Sequence, residues 1–499
     1  MDRRTRVLSV AGLVASLVLP ILAPSSGASA QPREPFRVEA ILEGDGAGLT
    51  NSQASHLAVD GSPTLAAADA ALAAAETAIT RATVALWPTL TLSARYTRFA
   101  SITNDPLVEG LVTGPEAAAL VAGVDDPEAR ALWSTTLAQQ EELSESRIPW
   151  FPNQLMLEAR VSVPVSEIFL TLLPRLEAAR AAVEAEEARR EVTLQGLDRR
   201  ARVAFYGYVR ARAFAALAEQ RLRDAAEEHR LAVRSRELGV VRRSEVLRAE
   251  AGLARARAGV ERAEAGVLSA GEALRSLLRL PGQAALRVGE DVTAPLPEVE
   301  SDLTQMIDQA FARRPEAVAL RRAAEASRRG QRAAEGSGWP TLRLGAGVQL
   351  ANPNRLYTPN RDRFDPTWDI SVIVAWSPNQ TVVSASQAAR AAAEAARLNA
   401  ELDRFRDGLR AEVSGAWADD RSAAATVAEA RALVESAREA YRARRIELEL
   451  GESRFADVLD AERELTEARV ALIEASIGAR VARVSLSYAT GGAVPMPEG

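Results

Sequence analysis

The chain has 499 residues, 61 of them basic and 67 acidic, for a net charge of −6, so no basic face draws it to nucleic acid. It contains no cysteine, which excludes disulfides, thiolate metal sites, a cysteine nucleophile and a lipidated N-terminal cysteine. Apolar residues make up 47% but aromatics only 5%, and Ala, Glu and Arg dominate the long segments, a composition of extended helix rather than of a compact α/β enzyme.

Arg3, Arg4 and Arg6 precede an apolar run from Val7 to Leu22, and Ala28-Ser29-Ala30 supplies a small-x-small cleavage signal. Residues 1–30 therefore read as a cleavable signal peptide, and no later stretch is long and apolar enough for a transmembrane helix. Residues 31–62, with Gly44, Gly46 and Gly48 close together, read as an N-terminal extension of low order. The two histidines, His56 and His229, lie far apart in sequence, so neither a metal site nor a cofactor is expected.

Pro63 opens an Ala-rich helix that ends at Trp87-Pro88, and the module recurs: Pro315 leads to Trp339, with WPTL following both times. Proline suits the first turn of a helix. After each WPTL the period changes to two. Leu90, Leu92, Ala94 and Tyr96 alternate with Thr91, Ser93, Arg95 and Thr97; Leu342, Leu344, Ala346, Val348 and Leu350 alternate with Thr341, Arg343, Gly345, Gly347 and Gln349. Each half adds a second strand, Leu155 to Val163 and Trp368 to Trp376. Four strands of about ten residues have the length that crosses a bilayer when tilted. A small soluble sheet packed on helices is the plainer alternative. Against it stand the aromatics near the strand ends (Trp87, Tyr96, Trp150, Trp339, Trp368 and Trp376), placed as for a membrane interface, and the charged residues Arg95, Glu158, Arg160 and Arg343 on the opposite face. An open sheet leaves edges that lipid does not tolerate, so a membrane reading needs several chains to close one barrel. The connections at about 101–148 and 351–366 are rich in Pro, Asn, Asp and Gly and read as loops.

The long runs that follow, Arg175 to Leu280 and Asn379 to Val494, hold no proline. Within them Glu237 to Arg257 and Glu449 to Arg469 share Glu, Leu, Gly, Arg, Val, Leu, Ala, Glu, Leu, Ala and Arg at the same offsets without a gap. Gly239 and Gly451 follow one helix-forming run and precede another, so each copy is the tip of a helical hairpin. Past the tips a heptad sets in: Val246, Leu253, Val260, Val267 and Leu274 in the first copy, and Val458, Leu465, Leu472, Ala479 and Leu486 in the second, each with a second, mostly alanine seam three residues on. Five heptads written twice point to coiled-coil packing over an ordinary helical core. The duplication places a first repeat at 63–314, a second at 315–490 and a tail at 491–499.

This plan, Pro-helix-WPTL-strand-loop-strand-helix-Gly tip-helix written twice behind a signal peptide, resembles the TolC-like outer-membrane efflux proteins from about Pro63 to Gly491. The resemblance is most specific at Leu450-Gly451 and Asp457-Val458-Leu459-Asp460-Ala461. It implies a mainly α fold with a β-barrel portion: long helices forming a periplasmic α-barrel, and four strands per chain contributed to a trimeric transmembrane barrel. It implies a homotrimer in outer-membrane lipid that works with a periplasmic adaptor and an inner-membrane pump, with no catalysis. By position, Asp457 and Asp460 match the acidic pair at the family's periplasmic aperture; a solvated pair on the hairpin exterior is the alternative. The corresponding first-copy residues are Glu245 and Arg248, one acid kept and one reversed. The tips, Gly239, Val240, Arg242 and Ser244 with Gly451, Glu452 and Arg454, match the adaptor contact, with plain helix capping as the other reading. A periplasmic adaptor is the rival function, but it uses one hairpin flanked by small β domains. A secreted enzyme lacks a Gly-x-Ser-x-Gly elbow, a phosphate loop or a histidine constellation.

Overall fold

A computed structural model describes residues 39–100, 114–145, 150–239, 241–282, 284–299, 302–358 and 360–496. The signal-peptide segment and Val240 lie outside these. In chain order the elements are α1 (Glu39–Leu42), α2 (Asn51–Val59), α3 (Pro63–Val84), β1 (Thr89–Arg98), α4 (Gly114–Ala122), α5 (Pro127–Glu145), β2 (Asn153–Val163) and α6 (Val165–Glu167). A π-helical turn (Ile168–Leu172) leads into α7 (Leu173–Glu237), followed by α8 (Arg243–Leu278), α9 (Leu303–Arg313), α10 (Pro315–Gly336), β3 (Thr341–Asn352), β4 (Asp365–Ala375), α11 (Pro378–Glu449) and α12 (Phe455–Ala489). No described helix is long and apolar enough to cross a membrane.

The four strands form one antiparallel sheet in the order β1-β2-β3-β4. Its register carries the period-two pattern from strand to strand: Leu92 lies opposite Ala159, Ala159 opposite Val348, and Val348 opposite Trp368. One face is therefore apolar across all four strands, and its side chains are exposed, with Leu92 at 73% and Ile370 at 74%. The other face carries Thr91, Arg160, Gly347 and Asp369 along one such row.

The helices are long because nothing interrupts their ladders. α7 has 65 residues and α11 has 72, lengths of ~97 and ~108 Å at about 1.5 Å per residue. Each folds back at a glycine with positive φ, Gly239 at 75° and Gly451 at 78°, conformations that a β-carbon opposes. The returning helices α8 and α12 share a sequence but not an environment. α12 lies between α11 and α7, whereas α8 packs mainly on α7. All five residues of the seam from Val458 to Leu486 are buried; in α8 only Leu274 of its counterpart is. On α12 a second heptad row, Glu462, Arg469, Ser476, Arg483 and Thr490, is buried as well. Its charges are paired: Glu462 with Arg221 of α7, and Arg483 with Asp420 of α11 at 2.7 Å.

Two expectations from composition are corrected. Residues 31–62 are not simply low in order: Thr50 and Gln53 form a capping box that starts α2, and Ala54 and Ala58 are buried where α2 packs on α7. The connection before β2 is not simply a loop either, since α4 and α5 occupy it; Pro127 starts an uninterrupted helix-forming run that outweighs the turn residues around it.

Arg314, at the boundary between the repeats, ties together three helices of the second. It is 3% exposed, donates to both Glu316 oxygens at 2.8 and 2.9 Å, to Glu412 of α11 at 3.3 Å and to the Tyr488 carbonyl of α12 at 3.2 Å, and lies over the Tyr488 ring. Removing a buried cation strands its carboxylate partners. Arg314→Leu is expected to destabilise the protein by about 3–5 kcal/mol, read as a lowered thermal unfolding midpoint in circular dichroism, while Arg287→Leu, whose side chain is largely exposed beside Asp45, shifts it little.

Candidate functional site

The strongest sequence candidates converge on the hairpin ends. α12 begins with Arg454 at its N-cap in an extended conformation, and arginine offers no oxygen to the free amides of the first turn. Asp457, three residues on, supplies the other half of a capping box, reaching back to the N-cap residue itself. Its Oδ2 accepts from the Arg454 backbone N–H at 3.1 Å and from the Ser453 hydroxyl at 3.4 Å, and its Oδ1 faces the Arg454 guanidinium at 3.4 Å. The Arg454 amide, followed by its guanidinium, holds the Asp457 carboxyl below the usual aspartate range. Asp460 is 63% exposed and meets Arg463 at 3.4 Å. The two acids therefore differ: Asp457 is built into the helix start, and Asp460 is presented to solvent. A negative charge in the first turn also suits the helix dipole.

The first-copy tip repeats this plan with weaker chemistry. Arg242 is again an N-cap without a side-chain bond, and Glu245, in the place of Asp457, turns to Arg248 at 3.2 Å. Ser244 and Glu452 are exposed, and the Arg454 side chain is 86% exposed. Both tips thus present basic side chains around a glycine turn.

At the sheet, Trp87, Trp339 and Trp376 flank β1, β3 and β4 at the end joined to the helices, and are 58% to 65% exposed. Tyr96 and Trp150 belong to the opposite end; the Tyr96 hydroxyl donates to Asn153 at 3.0 Å and the Trp150 indole to the Ala100 carbonyl at 3.2 Å. Trp368 lies inside β4, on the apolar face opposite Val348.

The polar face holds a charged bridge that residue types alone did not reveal. Arg160 of β2 reaches over β3 to both oxygens of Asp369 on β4 at 3.2 Å and also meets Glu158 at 2.8 Å. Gly347 makes this reach possible, since a β-carbon there would stand 2.8 Å from Asp369 Oδ1 and 3.2 Å from Arg160 Nη2. Arg343 similarly binds Glu167, at 2.6 Å. The glycines of β3, which looked merely polar in the alternation, clear a path for side chains from both neighbours. The signal lay in two glycines on one strand face beside an arginine strand.

No protein-family model and no curated protein sequence matches the chain. Solved structures do match over nearly its whole length. The outer-membrane channel OprN superposes with a TM-score of 0.68 at 19% identity, covering 94% of this chain and 99% of that one. The Campylobacter jejuni CmeC outer membrane channel gives 0.69 at 14% identity, covering 97% and 96%. The open state of the Neisseria gonorrhoeae MtrE outer membrane channel gives 0.69 at 17% identity, covering 89% of each.

The capping geometry generates a test. Because the native Asp457 value lies below the unfolded one, its contribution is complete at neutral pH and is lost as pH falls from the ordinary aspartate range through the lowered native value. Asp457→Ala is expected to speed amide hydrogen exchange over residues 454–458 at neutral pH, and Asp457→Asn, which keeps an acceptor but not the charge, to speed it less, whereas Asp460→Asn leaves it near wild type.

Proposed function

We propose, with the TolC-like outer-membrane channel fold as the premise, that this chain forms a passive exit duct across the outer membrane and periplasm, serving an efflux pump or a type I secretion system. The observation that carries it is the sheet: an exposed apolar face in register over four strands, a charged opposite face, and two edge strands without partners among the described residues. In lipid those edges must be paired. Three copies, as the resemblance implies, join β4 of one chain to β1 of the next in a twelve-stranded barrel with the charged face inward. The helices leave matching flanks, α3 and α8 on one side of α7 and α11 on the other, so the same rotation closes a helical cylinder.

In this assembly residues 1–30 direct export and are removed, and the mature chain carries no lipidated cysteine. Asp457 and Asp460 line the periplasmic aperture, where threefold symmetry gathers six carboxylates that favour cations. The tip residues Gly239, Val240, Arg242 and Ser244, with Gly451, Glu452 and Arg454, face the periplasmic adaptor. The apolar sheet face and the neighbouring channels named above support this reading over that of a soluble adaptor.

Planar-bilayer recordings of the purified protein test it. The wild type is expected to insert as small, cation-preferring conductance steps, and Asp457→Asn/Asp460→Asn, which keeps an acceptor at the helix start, to lose preference or gain conductance. Mutant and wild-type steps that coincide would remove the aperture assignment and keep the duct. A monodisperse soluble protein that never inserts would end the duct reading.

A further inference from the structure

A cavity of about 630 Å³ opens between α7, α11 and α12, just inside the second hairpin tip. Its walls combine Leu231, Leu448, Phe455 and Val458 with the acids Asp224 and Glu228. This volume lies within the range of about 300–1,000 Å³ common to small-molecule sites. Glu228 is 7% exposed, and its Oε1 has no hydrogen-bond partner among the described residues. Buried carboxylate oxygens are normally satisfied, so one left bare against a cavity marks a place for a donor.

The surroundings define which donor. Arg221 lies nearby on α7 but is paired with Glu462 of α12. Asp224 accepts from Gln220 at 2.7 Å. From α11 come Tyr441 and Arg445, the latter exposed and 6.0 Å from the tyrosine ring. Arg469 of α12 acts on Asp224. The lining thus holds three acids, Asp224, Glu227 and Glu228, and one arginine, Arg445. A divalent metal ion would require six or more oxygens, which apolar walls do not supply. The apolar walls of Leu231, Leu448, Phe455 and Val458 around a buried acid suit a cation that carries an apolar body.

We propose that this cavity binds a small organic cation with an apolar body, whose positive nitrogen pairs with Glu228. The assignment goes beyond the duct reading, which requires no ligand in the hairpin. Burial, opposed by Arg221 and Arg445 and reinforced by Asp224, pushes the Glu228 carboxyl up to about 7. A cation binds the ionised form, so binding strengthens with rising pH; with a native value near 7, affinity falls about tenfold between pH ~8 and pH ~6.

Ethidium is a suitable probe, titrated by fluorescence anisotropy into the purified full-length protein in detergent, with empty micelles as the blank. Wild type is expected to bind saturably and more tightly at higher pH. Glu228→Gln, which keeps shape and removes charge, is expected to weaken binding about tenfold at pH ~8 and flatten the pH dependence, while leaving the uncharged probe N-phenyl-1-naphthylamine unaffected. Ser235→Trp, filling the cavity from its rim, abolishes binding without touching the carboxylate and stands in if the first variant does not fold. Ethidium binding no stronger than to micelles, or equal in wild type and Glu228→Gln, overturns the site. A protein that conducts ions yet fails to bind ethidium loses this site and keeps the duct; one that binds ethidium but never inserts keeps the site and loses the duct.

Discussion

Among the described residues the backbone groups along the outer edges of β1 and β4 have no strand to pair with, and this open pairing governs how the rest is arranged. A flat exposed edge in water invites aggregation, and in lipid each unpaired amide or carbonyl costs several kcal/mol. In the proposed duct the edges stay open because the chain is not the unit that closes. The helices obey the same condition. α3 and α8, from the first repeat, bury one flank on α7, while α10 and α12, from the second, fit between α7 and α11. The proposed threefold assembly would have to satisfy the outer elements of both layers together.

This asymmetry explains why two copies of one sequence diverged. The row Glu462, Arg469, Ser476 and Arg483 on α12 is enclosed, and its charges are tied to Arg221 on one neighbour and Asp420 on the other. In its counterpart on α8, Glu250, Arg257 and Glu264 are exposed, and Gly271, in the place of Arg483, is buried but carries no charge. Buried ion pairs add little net stability, because desolvation offsets attraction, but they penalise any sliding of one helix along another. In helices of this length, where a one-turn slip of an alanine seam costs little shape, paired charges select the register. Arg314 does the same at the boundary of the repeats, tying the start of α10, where it donates to Glu316, to Glu412 of α11 and to the Tyr488 and Ala489 carbonyls of α12.

At the hairpin tips, structure and proposed function share the same atoms. Asp457 accepts from the backbone N–H of Arg454, and so it is committed to the helix start before any role in a pore. Asp460 has no such task. An acidic pair that looks uniform in sequence therefore divides into a structural member and a presented one, and the arginines around both glycine turns are left projecting into solvent.

Much of the architecture was legible in the chain. Alternation in the four strands, the recurrence of WPTL, the two glycine tips and the doubled heptads each follow from local rules of period and backbone freedom, and the fold bears out the helix-strand-hairpin plan they imply. The α2 helix was also legible, in Thr50 and Gln53, although the glycines before it obscured the cap. What the sequence did not contain is which copy of a repeated element lies inside and which lies at a flank. Heptads in α8 and α12 are nearly alike, and burial depends on neighbours hundreds of residues away. Nor could it reveal that Gly347 clears a path from Arg160 to Asp369, or that Glu228 is left bare beside a cavity, because both depend on three elements meeting at one point. Local pattern determined the elements and their order; only the packing of non-adjacent helices and strands decided which charges are paired, which are presented, and which keep an oxygen without a hydrogen-bond partner among the described residues.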